Sequence, residues 1–117
     1  TDVYLGYRDR LFSLEDFESC THDIFVSTEK GEEGYHGFIT DLLKPELYDA
    51  VFTCGPEIMM RKVADICKSK NVPCWCSMEH RMACGIGACL GCSLLTSDGM
   101  KRVCKDGPVF PAKQLFF

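Results

Sequence analysis

The sequence has no long apolar run. Its longest nonpolar stretches are a handful of residues, far short of the roughly 20 that a membrane-spanning helix needs. It also lacks a basic surface: 13 Lys and Arg against 17 Asp and Glu leave a formal net charge of −4, which argues against a nucleic-acid partner. No segment has the charged-then-apolar form of a secretory signal. Repeats and low-complexity tracts are missing. The three histidines, His22, His36 and His80, have no ligand spacing among themselves. Neither a nucleophile–base pair nor paired carboxylates stand out, so nothing points to acid–base or nucleophilic catalysis by this chain. At 117 residues it suits one domain, or one with a small appendage, and is short for a complete multi-cofactor enzyme. It starts at Thr1 inside a strand-like segment, and the expectation is that it is part of a longer protein.

Cysteine, by contrast, is abundant. There are nine, an odd number, so complete internal pairing is impossible, and five fall between Cys74 and Cys92. Without a secretory signal this points to reduced, metal-binding thiols in a cytoplasmic protein rather than to a disulfide scaffold.

Along the chain, residues 2–6 read as a strand and 13–19 as a helix with Ser13 as N-cap and Asp16 in an acidic first turn. A second strand at 23–28, a glycine-rich charged loop at 29–37, and a short helix at 38–44 stopped by Pro45 follow. Residues 48–53 read as a third strand and 57–70 as a helix, with Met59, Val63, Ile66 and Cys67 at helical spacing. A fourth strand is read at 72–77. Alternating strands and helices imply an α/β fold with a parallel, doubly wound sheet. From about Met82 the pattern breaks, and a second, cysteine-rich module is expected, with a hairpin joining 93–96 to 101–103 across Ser97-Asp98-Gly99. The boundaries read from this are 1–78 and 79–117.

Cys84, Cys89 and Cys92 have the spacing C-x4-C-x2-C, and Cys104 lies beyond the hairpin. This is the ligand spacing of plant-type [2Fe–2S] sites. Two irons and two sulfides need four thiolates around a compact, flat cluster. Gly85, Gly87 and Gly91 keep side chains away from it and admit positive φ, so that backbone N–H groups can turn toward sulfur. The alternative is a four-thiolate zinc site, although structural zinc sites usually pair two short cysteine hooks.

Thr53-Cys54-Gly55-Pro56-Glu57 joins a strand to a helix at the carboxyl end of a parallel strand, where such sheets bind ligands. The helix start offers free N–H groups to an anion such as a pyrophosphate, and Pro56 suits a helix start. An ordinary turn fits the same residues. Cys74 and Cys76 share one strand face opposite Trp75 and read as core, as does Cys67. Cys20 has no evident role. Gly31, Gly34 and Gly37 lack the strand-to-helix context of a phosphate loop, and Glu79, His80 and Arg81 read as a solvated edge.

Thr53 to Glu57 resembles the cysteine-glycine-proline motif of the ferredoxin–NADP reductase superfamily. Residues 78–92 and 102–110, and more loosely Gly34 to Asp41, resemble one branch of it, the electron-transfer subunits of class 1B dihydroorotate dehydrogenase. The resemblance implies that Cys84, Cys89, Cys92 and Cys104 ligate a [2Fe–2S] cluster, and that Cys54, Gly55 and Pro56 lie near nicotinamide and flavin. It further implies FAD and NAD as cofactors of the full-length protein. The implied partner is an FMN-containing dihydroorotate dehydrogenase catalytic subunit, in pyrimidine biosynthesis. The family's FAD-binding barrel and the first strand of its nucleotide domain are lacking, so this segment is expected not to hold FAD and to bind NAD(H) poorly. Leu90, Met82 and Phe110 are candidates for apolar contacts with the partner, although Phe110, Leu115, Phe116 and Phe117 could instead pack the tail onto the domain. Related reductase subunits, of the sulfide dehydrogenase or ferredoxin:NADP oxidoreductase type, and a zinc-binding interaction module are the alternatives.

Overall fold

A computed structural model of the chain describes residues 2–7, 14–18, 21–29 and 35–116. Ser13, Cys20, Gly31, Gly34 and Phe117 lie outside the described residues. The chain divides into two compact units, Thr1–Lys44 and Pro45–Phe117.

In the first unit, β1 (Asp2–Tyr7) and β2 (Asp23–Thr28) pair in parallel from Asp2 opposite Asp23 to Tyr7 opposite Thr28, and β3 (Tyr35–His36) extends the sheet beside β2. Parallel pairing needs a crossover, and α1 (Leu14–Glu18) lies on it. Tyr4 stacks on Phe25 across the strands, with ring centroids 4.6 Å apart. Gly6 lets Ile39 approach: a Cβ there would stand 3.1 Å from the isoleucine side chain. The helix expected at 38–44 is instead a single 3₁₀ turn, Ile39–Asp41, with the Phe38 N–H donated to Asp41 Oδ2 at 3.3 Å. Pro45 disfavours helical backbone at the residue before it, and seven residues do not offset the cost of helix nucleation.

The second unit opens with a 3₁₀ turn, Pro45–Leu47, followed by β4 (Val51–Cys54), α2 (Glu57–Ser69) and β5 (Cys74–Ser77). β4 and β5 are parallel, with Val51 opposite Cys74 and Cys54 opposite Ser77. α2 buries Met60, Val63 and Cys67, spaced to fall on one helix face. The fully buried methionine is thus Met60 rather than Met59. Asn71, at φ 56°, ends the α2–β5 turn, where the Val72 N–H reaches the Cys67 carbonyl at 3.0 Å.

β6 (Ser93–Thr96) and β7 (Gly99–Arg102) form the expected hairpin, closed by buried Thr96, whose hydroxyl donates to the Gly99 carbonyl at 2.7 Å and accepts the Asp98 N–H at 3.2 Å. The one-turn helix α3 (Val103–Asp106) follows, and β8 (Val109–Pro111) returns antiparallel to β5. β8 places residues 109–111 in the same sheet as β4 and β5, across the division read at 78/79. Cys92, Val103 and Phe110 form the core beneath the hairpin, with Met78, Leu94, Cys104 and Leu115 against it. The architecture is mixed α/β, with its parallel strands in two sheets, β1-β2-β3 and β4-β5-β8. Among the described residues no helix is long and apolar enough to cross a membrane.

Candidate metal centre

Cys84, Cys89 and Cys92 lie on the loop between β5 and β6, and Cys104 lies on α3. The loop has no regular structure because its glycines break it. Gly85 at φ 71° and Gly87 at φ 82° occupy the left-handed region that a Cβ disfavours. These turns swing backbone N–H groups onto sulfur. Ile86 and Cys89 donate to Cys84 Sγ at 3.4 Å each, Gly91 donates to Cys89 Sγ at 3.4 Å, and the Cys104 N–H donates to Cys92 Sγ at 3.4 Å.

Two of the thiols are in direct contact, Cys92 Sγ and Cys104 Sγ, 3.3 Å apart, while Cys84 and Cys89 are joined by the Cys89 N–H donated to Cys84 Sγ. Among the described residues, no three His, Cys, Asp or Glu side chains converge on one point as a single ion would require. The amides set the protonation of the sulfurs. N–H groups of Cys89 and Ile86 hold the Cys84 thiol down at about 6. The Cys104 N–H lowers Cys92, whereas the hydrogen bond with Cys92 raises Cys104, so that this pair favours a shared proton.

α3 meets the loop at a corner. Asp106 Oδ2 accepts the Arg102 N–H at 2.8 Å, and Arg102 Nη1 donates to the Gly87 carbonyl. The Val103 N–H donates to the Cys92 carbonyl at 3.2 Å. Sequence reading passed over Arg102 and Asp106. Their four-residue separation at a strand–helix junction is a local signal, but the contact with Gly87 spans fifteen residues.

Cys54, Gly55 and Pro56 lie on a different element, the turn from β4 into α2. Cys54 is exposed, Gly55 has φ 148°, and the Pro56 carbonyl accepts the Met60 N–H at 3.0 Å to start the helix. Beside the turn, Phe52, Thr53, Cys54, Trp75, Ser77 and Val109 line a hollow of about 150 Å³, in which Phe52 and Trp75 stack with centroids 6.4 Å apart. That volume is too small for a dinucleotide.

Cys67 and Cys76 are fully buried and Cys74 is half-buried, as their strand and helix positions imply. Burial pushes the Cys67 thiol up to about 12. A hydrogen bond between Cys74 and Cys76 raises the first and lowers the second. Met82 and Leu90 are exposed near the loop, and so is Ile86. Phe110 is not: it is 4% exposed and packs on Val103, because the β8 register turns it opposite Cys76 into the core. It therefore belongs to the interior rather than to a contact surface. Glu79, His80 and Arg81 are exposed, as a solvated edge should be.

Residues 79–116 match the family model of the iron–sulfur cluster binding domain of dihydroorotate dehydrogenase B. The chain is 48% identical over 114 residues to the electron transfer subunit of dihydroorotate dehydrogenase B (NAD(+)) of Clostridium acetobutylicum, covering 97% of this chain and 46% of that protein. It is 45% identical to the Clostridium perfringens subunit, covering 99% of this chain and 47% of that one. A probable subunit of the same kind in Methanocaldococcus jannaschii is 42% identical over 94% of this chain and 43% of its own length. The chain thus spans about half the length of the curated relatives it matches. Among solved structures, a chain of an NADH-dependent reduced ferredoxin-NADP oxidoreductase superposes with a TM-score of 0.78 at 28% identity, covering 97% of this chain and 43% of that one.

Proposed function

We propose that this chain, related over nearly its whole length to electron transfer subunits of dihydroorotate dehydrogenase B, holds a [2Fe–2S] cluster on Cys84, Cys89, Cys92 and Cys104 and serves as an electron relay. The observation that carries the reading is the set of backbone N–H groups already facing the sulfurs of Cys84, Cys89 and Cys92, with the Cys92 and Cys104 sulfurs 3.3 Å apart. The donor set fits the group: each iron of a binuclear cluster takes two thiolates, and N–H groups directed at sulfur stabilise a negatively charged cluster. A single zinc needs four donors around one point, and among the described residues no three such side chains converge on one.

When bound, the cluster supplies one-electron transfer, linking the FMN of a dihydroorotate-oxidising catalytic subunit to FAD and NAD⁺ held by the full-length protein. The residues of this chain do the holding. Cys84 and Cys89 would take one iron, and Cys92 and Cys104 the other. Gly85 and Gly87 supply the turns that bring amides to them. Cluster chemistry would be confined to residues 79–117, of which 79–116 match the iron–sulfur binding family, and residues 1–78 would form part of a doubly wound NAD-binding domain. The remaining strand and the flavin-binding region would lie in the part of the relatives that this chain does not span. Cys54, Gly55 and Pro56 would border nicotinamide and flavin, and Met82 and Leu90 would meet the catalytic subunit. Reduced thiols suit a cytoplasmic setting. The similarity at 28% to a ferredoxin-NADP oxidoreductase chain supports a second reading as a subunit of that type, and the higher identities favour the first.

The test uses the full-length protein assembled with the catalytic subunit. In Cys104→Ser, dihydroorotate-dependent NAD⁺ reduction should disappear while dihydroorotate still bleaches an artificial dye. Undiminished NAD⁺ reduction would count against the relay.

A further inference from the structure

The four cysteines come from two pieces of chain, the loop 84–92 and the turn Val103–Asp106, and Arg102 joins them. Its backbone N–H is held by Asp106 Oδ2 at 2.8 Å, which fixes the corner where β7 becomes α3. Its guanidinium reaches the other way, to the Gly87 carbonyl in the middle of the loop. Gly87 is confined from a second side: a Cβ there would stand 2.9 Å from Lys105 Cδ, so the loop lies directly on the Lys105 stem. The neighbouring Val103 is fully buried and donates its N–H to the Cys92 carbonyl at 3.2 Å. Arg102 therefore reaches the loop from a fixed base.

The carbonyl it grips lies between two amides that face the same sulfur: the Ile86 and Cys89 N–H groups each donate to Cys84 Sγ at 3.4 Å. Gly87 sits between them at φ 82°, so holding its carbonyl fixes the turn that presents both amides. One side chain thus holds the stretch of loop that aims two N–H groups at one cysteine sulfur.

We propose that Arg102 is a positioning residue for the cysteine centre, raising the reduction potential of the bound cluster by holding the loop at Gly87 so that the Ile86 and Cys89 N–H groups face the Cys84 sulfur. The proposal rests on the cluster reading above. Hydrogen bonds to cluster sulfurs offset the negative charge gained on reduction, so their loss lowers the potential.

The test is a redox titration of the intact protein purified without oxygen, followed by visible absorbance and by the electron paramagnetic resonance of the reduced state. Iron and sulfide are assayed first on the wild type. Arg102→Met should disfavour reduction about tenfold, equivalent to about 59 mV for one electron, and should shift the resonance of the reduced cluster. Arg102→Lys keeps the charge but not the planar fork, and it should move both readouts in the same direction. A wild-type potential in Arg102→Lys, whatever Arg102→Met shows, would overturn the positioning role, since charge alone would then suffice. If Arg102→Met loses its cluster altogether, Arg102→Lys still decides. Wild-type protein without iron or sulfide would instead refute the cluster reading itself, and the proposal with it.

Discussion

Two groups of cysteines in this molecule have opposite surroundings. Cys67, Cys74 and Cys76 lie where α2 covers β5, with Cys67 and Cys76 fully buried, and burial drives the Cys67 thiol up to about 12. Cys84 is half-buried in an irregular loop, and two backbone N–H groups bring it down to about 6. The residue type is the same, so the backbone makes the difference. Within α2 and β5 the N–H groups are committed to the helix or the ladder, and a cysteine there is a small hydrophobe. In the glycine-turned loop, and in the first turn of α3 where Cys104 lies, N–H groups have no such partner and face sulfur, which favours the thiolate.

Substitution should separate the groups most sharply. Cys92→Ser or Cys104→Ser should reduce the iron content from about two per chain to near none, because a thiolate pair loses a member. Cys67→Ser should leave iron and sulfide unchanged but lower unfolding stability by about 1–3 kcal/mol, because a hydroxyl replaces a buried apolar thiol; urea unfolding reads this, and a loss of iron in a folded Cys67→Ser protein would erase the distinction. Next comes pH. In metal-free protein, alkylation of Cys84 should rise as pH passes through about 6 and level off above it, because the thiolate is the nucleophile and is fully formed there. Cys67 should stay protonated and unlabelled up to pH 9, as peptide mapping by mass spectrometry would record. A smaller effect is expected of Thr96→Val, which removes the hydroxyl that closes the β6–β7 turn and should cost about 1 kcal/mol in the same unfolding assay. The smallest belongs to Leu90→Ser: this side chain is 74% exposed, and stability should change by less than about 0.5 kcal/mol while affinity for a catalytic subunit falls.

Sequence reading reached the strand–helix–strand run from β4 to β5 and the hairpin because their signals are local: helical spacing around Val63 and Cys67, and Asp98-Gly99 between two short runs. The cysteine spacing was legible for the same reason. The misreadings were of other kinds. β8 carries Pro111 and is three residues long, and its place is decided by pairing with β5, more than thirty residues away. That pairing also turned Phe110 inward. Helix α3 is four residues, too short for any periodicity, so Cys104 was seen as a ligand candidate without its supporting turn. Residues 38–44 looked helical from composition, but the following Pro45 left room only for a 3₁₀ turn. Arg102 was invisible because what distinguishes it is a contact with a backbone oxygen, and a carbonyl carries no residue identity.

The most direct measurement is iron and acid-labile sulfide content, with a visible spectrum, on protein purified without oxygen. About two irons and two sulfides per chain are expected, with a visible chromophore that bleaches on reduction. One zinc per chain, with no sulfide, would contradict a cluster on these cysteines.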